Sequence, residues 1–590
     1  MIEIKINERP VSVQEGATIL EAAKAAGIRI PTLCHLEGAT AQGACRVCLV
    51  EVRGAKTLAA SCATPATEGM EVYTNTNRVR KARRTVVELL LSEHGGDCPT
   101  CLRNEDCELQ AIAREMGITS VKFPGATARA FIDDSTPALV RDNAKCIKCR
   151  RCVTVCAEVQ SVGALFAQKR GFDTVIGPAF ALQLDGVACV QCGQCAAVCP
   201  VGAISEKECI EEVWSALEDP AKHVVVQTAP AIRAALGEEF GFEPGTLVTG
   251  KMVSALRSLG FDAVFDTNFA ADLTIMEEGT ELLTRLKKAL LLKEPVSLPM
   301  FTSCSPGWIK FCEYYYPEYL SNLSSCKSPQ QMFGAIAKTY YASKIGKKAE
   351  DIVVVSVMPC TAKKFEAARP EMNDSGTIDV DYVLTTRELA RMIKQAGVEF
   401  GSLPDDTMDS PLGASSGAAD IFANTGGVME AALRTVWEIV TGSELPMKDL
   451  HVKPVAGLQG VKEAAITIKG AVKEWSFLEG VELRVAVAHG LGNARRVLDA
   501  LRSGAVTYHF VEVMTCPGGC IGGGGQPRFT DNSVREKRIN AIYREDEGKA
   551  VRKSHENPQI RQIYAEFLEK PLGKISHQLL HTSYSPRKRV

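Results

Sequence analysis

The sequence predicts a multidomain chain of α+β and α/β parts, with small cysteine-bearing modules preceding one large α/β domain. Three observations lead there. The chain has 590 residues, too many for one hydrophobic core. Most of its 22 cysteines fall before residue 210, in tight clusters. From His223 onward, short β-branched runs alternate with helical segments, the pattern of a sheet flanked by helices.

The cysteines do not read as a disulfide framework. The chain opens "MIEIKINERPVSV", a strand-like alternation without an apolar signal segment. The pair Arg83-Arg84 lies too far inside to be a twin-arginine signal. No run of about 18 apolar residues is present to span a membrane. A cytoplasmic chain is therefore expected, and there clustered cysteines bind metal more often than they pair. A formal net charge of −2 argues against nucleic acid or an anionic membrane as the main partner.

The first module is expected over residues 1–80. "IEIKINERPVSVQEGATILEAAKAAGI" reads as a β-hairpin turning near Asn7–Arg9, followed by a helix. Cys34, Cys45, Cys48 and Cys62 follow with the spacing C-x10-C-x2-C-x13-C. Zinc is one reading of any four-cysteine set. The Gly/Ala-rich loop around the first three resembles that of plant-type ferredoxins with a longer first gap, which implies a β-grasp domain holding [2Fe–2S]. A second module, 81–125, carries His94, Cys98, Cys101 and Cys107 as H-x3-C-x2-C-x5-C. On its own this set suits zinc as well as [4Fe–4S].

The third module, 126–209, repeats C-x2-C-x2-C-x3-C, in "CIKCRRCVTVC" and "CVQCGQCAAVCP". This pattern resembles the two-cluster bacterial ferredoxins, in which the fourth cysteine of each run ligates the other cluster. One [4Fe–4S] would take Cys146, Cys149, Cys152 and Cys199. The other would take Cys189, Cys192, Cys195 and Cys156. Beside two cubanes, the His94 set reads better as another link in an electron chain than as zinc.

The remainder, 210–590, is the large α/β domain. Cys360 follows "VVVSVMP" and Cys516 follows "FVEVMT", so both belong at the carboxyl ends of strands, where sites in such sheets lie. Three stretches stand out: "TSCSPGW" at Thr302–Trp308, "MPCTAKKFE" at Met358–Glu366 and "EVMTCPGGCIGGGGQP" at Glu512–Pro527. They resemble signatures of the iron-only ([FeFe]) hydrogenases, whose larger clostridial members carry the same four modules in the same order. The tail after the catalytic core resembles their small subunit.

The resemblance implies an H-cluster, a cubane joined to a di-iron unit bearing CO, cyanide and a dithiolate amine. Cys360, Cys516 and Cys520 match cubane ligands, with Cys520 bridging to the di-iron unit. Lys363, Ala229, Pro230, Ser328 and Gln330 match contacts to the di-iron ligands; Met358, Phe422 and Met514 match its apolar wall. "GGCIGGGG" lacks a P-loop lysine pattern and suits close backbone approach to a cluster. Cys304, Glu278, Ser324, Glu281 and Arg285 match a proton relay to the surface. Read without the resemblance, Glu278 and Glu281 are a solvated helix face.

One signature departs from the pattern. Ser305 stands where the family has a second cysteine, a cubane ligand. Either Cys304 has become the ligand, or Cys304 keeps the proton role and Ser305 contacts the cubane through oxygen or not at all. The unchanged frame around the pair favours the second arrangement. Cys209, Cys312 and Cys326 are left over and are expected to be buried thiols.

The function implied is reversible 2H⁺ + 2e⁻ ⇌ H₂, with electrons passing through one [2Fe–2S] and three [4Fe–4S] accessory clusters. "HGLGNA" is no Rossmann fingerprint, so any use of NAD(H) requires flavin- and NAD-binding partner subunits. Ferredoxin is the other candidate donor. Two alternatives remain: an electron-transfer subunit of an NADH dehydrogenase, and an iron–sulfur assembly or sensor protein without activity.

Overall fold

The structure is a computed structural model that describes residues 1–123, 125 and 131–589. The boundary expected between 125 and 126 abuts 126–130, which lie outside the described residues.

At the N-terminus, strands Ile2–Ile6 and Arg9–Val13 pair antiparallel, and Asn7 and Glu8 both take positive φ to close the hairpin. Two such residues twist a two-residue turn in the sense that the strands require. Ile4 and Ile6 point into the core while their neighbours face out. Strands Glu71–Tyr73, Leu49–Val52 and Ala59–Ala60 complete a five-stranded mixed sheet. The helix Ile19–Ala25 starts with a capping box between Thr18 and Glu21. The next helix, Asn77–Glu93, runs straight through the expected boundary at 80.

The cysteine-rich modules converge rather than forming a single file. The first reaches the third where the Thr40 amide donates to Glu158 Oε2 at 3.0 Å. The second reaches it through Gly95 N to Ala144 O at 2.9 Å and Glu108 N to Pro200 O at 3.0 Å. Arg103, 1% exposed, donates to the Cys199 carbonyl at 2.6 Å. A continuous apolar core then joins Val190 and Val201 to Trp308, Phe311 and Val511 of the large domain.

That domain holds two four-stranded sheets. In one, Ala263–Asp266, His223–Thr228, Ile352–Met358 and Tyr382–Thr385 are all parallel. In the other, Met300–Phe301, Phe510–Met514 and Glu482–His489 are parallel, and Val461–Thr467 is an antiparallel edge. The central strand Ile352–Met358 is buried at every position, as parallel sheets covered on both faces require. The helix Thr267–Leu286, capped by Asp266, is buried along most of its length. Among the described residues, no helix is long and apolar enough to cross a membrane.

Candidate active site

Strand ends from both sheets meet at one cavity. Ala229 and Pro230 follow the strand His223–Thr228, and Cys360 follows Ile352–Met358. From the other sheet, Cys304 and Ser305 follow Met300–Phe301, and Cys516 follows Phe510–Met514. These residues, with Gln330, Met358, Lys363, Phe422, Met514 and Cys520, line about 740 Å³ of space free of protein atoms. Carboxyl ends of parallel strands are where such folds place their chemistry.

The three candidate cubane thiols are unpaired. Burial raises all three, and Cys360 raises both Cys516 and Cys520, the latter to about 12. Converging neutral thiols in an apolar pocket suit an iron–sulfur cluster, which would take them as thiolates. The donor set therefore fits the group.

The glycine run has a second use. A Cβ at Gly524 would lie 2.3 Å from the Cys192 carbonyl oxygen, and one at Gly523 would lie 2.2 Å from that of Pro359. Gly519 and Gly523 line the cavity, whereas Gly524 serves contact with the accessory-cluster loop. At this contact Gln194 donates to the Gly522 carbonyl at 2.9 Å, and its amide lies beside the Cys516 thiol. Gln194 lies between Cys192 and Cys195, and nothing local in the sequence marks it.

Lys363 Nζ donates to the Cys304 carbonyl at 3.1 Å and pairs with Glu366 Oε2 at 2.8 Å. Ser328 Oγ and Gln330 Nε2 donate to that same Glu366 oxygen, at 2.8 and 3.2 Å. Ser328 thus stands behind the cavity wall. Glu366 lies inside a quoted signature, yet its role as the shared acceptor emerges only in three dimensions.

Glu278 and Glu281 are not a solvated face: they are 2% and 9% exposed. Burial, and then the neighbouring Glu281, push Glu278 up to about 8. Ser324 lies beside Glu278 and donates to Glu281 Oε2 at 3.0 Å. Arg285 Nη2 donates to Glu281 at 2.7 Å beside an open cavity. At its inner end the half-buried Cys304 thiol is raised by loss of water first and then by Glu278. From Thr267 in the cavity wall to Arg285, one helix spans about 27 Å at 1.5 Å per residue.

Ser305 Oγ bonds the Thr515 hydroxyl at 2.8 Å. Of the left-over cysteines, Cys312 and Cys326 are fully buried. Cys209 departs from expectation: it is half-buried, with its thiol on the Val383 carbonyl and beside Lys364.

In the accessory modules, Cys34, Cys45, Cys48 and Cys62 are buried together as free thiols, with the Cys48 and Cys62 sulfurs 3.4 Å apart and Cys34 beside Cys45 and Cys62. His94 keeps Nδ1 buried without a partner and lies beside the Lys145 backbone, leaving a ring nitrogen free for a metal. Cys98, Cys101 and Cys107 lie in the same segment, and Cys101 and Cys107 are close enough to interact. Cys199 joins Cys146, Cys149 and Cys152 around one small cavity. Cys156 instead neighbours Cys189, Cys192 and Cys195.

Residues 222–524 match the family described as iron only hydrogenase large subunit, C-terminal domain. The chain belongs to the iron-only ([FeFe]) hydrogenases. Over its whole length this hydrogenase is 53% identical to the NADP-reducing hydrogenase subunit HndD of Solidesulfovibrio fructosivorans, covering 100% of both chains. It is 42% identical to iron hydrogenase 1 of Clostridium pasteurianum, over 99% of this chain and 100% of that one. The apo [FeFe]-hydrogenase HydA1 of Chlamydomonas reinhardtii superposes with a TM-score of 0.58 at 45% identity, over 64% of this chain and 98% of that one.

The other modules of the hydrogenase match by description too. Residues 532–587 match the iron hydrogenase small subunit, and 1–77 a 2Fe-2S iron-sulfur cluster binding domain. Residues 83–122 match the NADH-ubiquinone oxidoreductase-G iron-sulfur binding region, and 145–203 a 4Fe-4S dicluster domain. The hydrogenase is thus an oxidoreductase acting on H₂ that carries 2Fe–2S and 4Fe–4S clusters beside its H-cluster. These matches favour iron–sulfur over zinc in the first two modules.

Proposed function

We propose that this hydrogenase is the catalytic subunit of an NAD(P)-linked complex, receiving or delivering electrons through a flavin-bearing partner. The oxidoreductase-G match and the NADP-reducing relative support this reading. A free-standing enzyme served by ferredoxin is the second reading, favoured by the full-length likeness to iron hydrogenase 1. A cytoplasmic location goes with either.

The single observation that carries the site is the convergence of Cys360, Cys516, Cys520, Lys363 and Cys304 on one cavity. When bound there, the H-cluster supplies the redox chemistry of 2H⁺ + 2e⁻ ⇌ H₂. Cys360, Cys516 and Cys520 would hold its cubane, and Ala229, Pro230, Gln330 and Lys363 would cradle the di-iron ligands, with Ser328 bracing that wall from behind through Glu366. Lys363, whose ammonium sits between Glu366 and the Cys304 carbonyl, would offer its charge to the anionic ones. Met358, Phe422 and Met514 exclude water. Cys304, Glu278, Ser324, Glu281 and Arg285 pass protons, while Ser305 faces the cubane without supplying sulfur. Four cluster-bearing domains divide the chain: a β-grasp [2Fe–2S] domain at 1–80, a His/Cys₃ [4Fe–4S] domain at 81–125, a two-[4Fe–4S] domain at 126–209, and the catalytic domain at 210–590. The accessory ligands are the cysteines and His94 named above.

Infrared spectra of purified protein test the site: CO and cyanide bands are expected, and their absence from matured, active protein overturns it. Anaerobic affinity purification from the native cell tests the complex. A co-purifying flavoprotein with H₂-dependent NAD(P)⁺ reduction is expected; a chain isolated alone that turns over with ferredoxin overturns it.

A further inference from the structure

Cys326 has no place in the clusters, and although it belongs to the large apolar core it lies at that core's edge against charged groups. Its sulfur lies 4.0 Å from Glu281 Oε2, at the outer end of the proposed relay. An isolated bridge pairs Cys326 with His581 of the C-terminal segment. One ligand atom from each of Glu281, Cys326 and His581 lies within 4.8 Å of the others. We propose that these three side chains form a binding site for a borderline-soft divalent cation of the Zn²⁺ class, and that its occupation blocks proton passage. The second half rests on the relay reading of Glu281.

The donor set has the right chemistry. Thiolate, imidazole and carboxylate are the three protein ligands that Zn²⁺ uses, and three ligands with a fourth open position describe its accessible sites. Two anionic donors balance the charge of the ion. The fourth position has a source of water, because Glu281 and Ser325 line an open cavity shared with Arg285 and His577. Binding exchanges one proton: the Cys326 S–H bond breaks as the sulfur–metal bond forms, and the proton leaves to the cavity water.

The supporting shell is already built. His581 Nδ1 faces Ser325 Oγ at 2.8 Å, and that hydroxyl also donates to Glu281 Oε2 at 3.2 Å, so Nδ1 is the nitrogen turned toward the site. The opposite nitrogen, Nε2, bonds Glu277 Oε2 at 3.1 Å. Glu277 is held in turn by the Leu572 amide at 2.8 Å and by the hydroxyls of Tyr564 and Ser576. A carboxylate fixing the far nitrogen of an imidazole is the outer arrangement that metal-binding histidines use. Ser325 Oγ now bridges Nδ1 and Glu281, and rotation about its single side-chain torsion clears the space. A cation held there engages the Glu281 carboxylate that otherwise serves Ser324 and Arg285.

The test adds ZnCl₂ to the active holoenzyme and follows H₂ oxidation with an oxidised viologen, without thiols or dithionite. After desalting, zinc K-edge absorption reads the metal's own shell apart from iron. Wild type is expected to be inhibited, retaining zinc with one sulfur and nitrogen or oxygen neighbours. Cys326→Ala and His581→Gln, each judged against its own zinc-free rate and cluster content, should need at least about tenfold more zinc. Cys326→Ala should also lose the sulfur scatterer, and Cys326→Ser repeats the test should the alanine variant fold poorly. Unchanged sensitivity in the variants, or a zinc shell without sulfur, overturns the site. A sulfur-bearing shell with undiminished turnover upholds the site and overturns the relay role of Glu281.

Discussion

Ser305 and Thr515 are joined side chain to side chain at 2.8 Å, and the Thr515 amide also reaches the Ser305 oxygen at 3.3 Å. The residue standing at a family cysteine position thus has its hydroxyl engaged by the loop that carries Cys516. A cysteine there would exchange this bond for a sulfur facing the cavity. Cys304, one residue earlier, neighbours Glu278 electrostatically and lends its carbonyl to Lys363.

From this relationship, Cys304→Ala is expected to slow turnover by ~10²–10⁴-fold, the scale of a positioned acid–base group, while the cubane still assembles. Ser305→Cys is tolerated. EPR of the reduced cubane, recorded beside H₂ evolution, checks both. A cubane signal lost in Cys304→Ala makes Cys304 the ligand instead.

Gln194, on the neighbouring cluster loop, places its amide beside the Cys516 thiol, where it can donate to a cluster-bound sulfur. Hydrogen bonds to cluster sulfurs raise reduction potentials by stabilising the more negative state. Gln194→Leu is therefore expected to move the catalytic cubane to a more negative midpoint and slow electron exchange with the accessory chain. An EPR-monitored redox titration measures the first, and rates with a protein donor the second. An unmoved midpoint is the contrary result.

Glu278 is held at about 8 against an ordinary value of 4.5, so it retains its proton at pH 7. Between those values the folded chain keeps a proton that the unfolded chain has released. Stability therefore falls as pH rises through that window. Glu278→Gln should flatten the fall in anaerobic Tm between pH 5 and 8 while cutting H₂ evolution by ~10²–10⁴-fold. A variant that keeps the wild-type slope places the titration elsewhere.

Glu206, 1% exposed, pairs with Arg387 at 2.6 Å and Arg391 at 2.9 Å. A truncated chain beginning at Glu211 retains both arginines without that carboxylate, and loss of one partner from a buried pair costs about 3–5 kcal/mol. After maturation it is expected to evolve H₂ with an artificial reductant, to lose most activity with protein donors, and to melt below a chain beginning at Ala203. Thermal melts of the two truncations, beside activity with each donor type, decide it.

The sequence by itself determined what depends on neighbours along the chain. The opening hairpin was legible because alternation and a two-residue turn are local, and the cysteine sets because their spacing is. Cys360 and Cys516 were legible at strand ends because β-branched runs stop there. The signature stretches carried the family. Only tertiary structure decided which charges lost water: the helix bearing Glu278 and Glu281 reads as amphipathic, and burial came from the elements packed upon it. It also decided that Lys363, Ser328 and Gln330 share Glu366, that Gln194 touches Cys516, and that Glu277 meets His581 across 304 residues of chain. Such pairings are formed by packing between distant segments, and no local pattern encodes them.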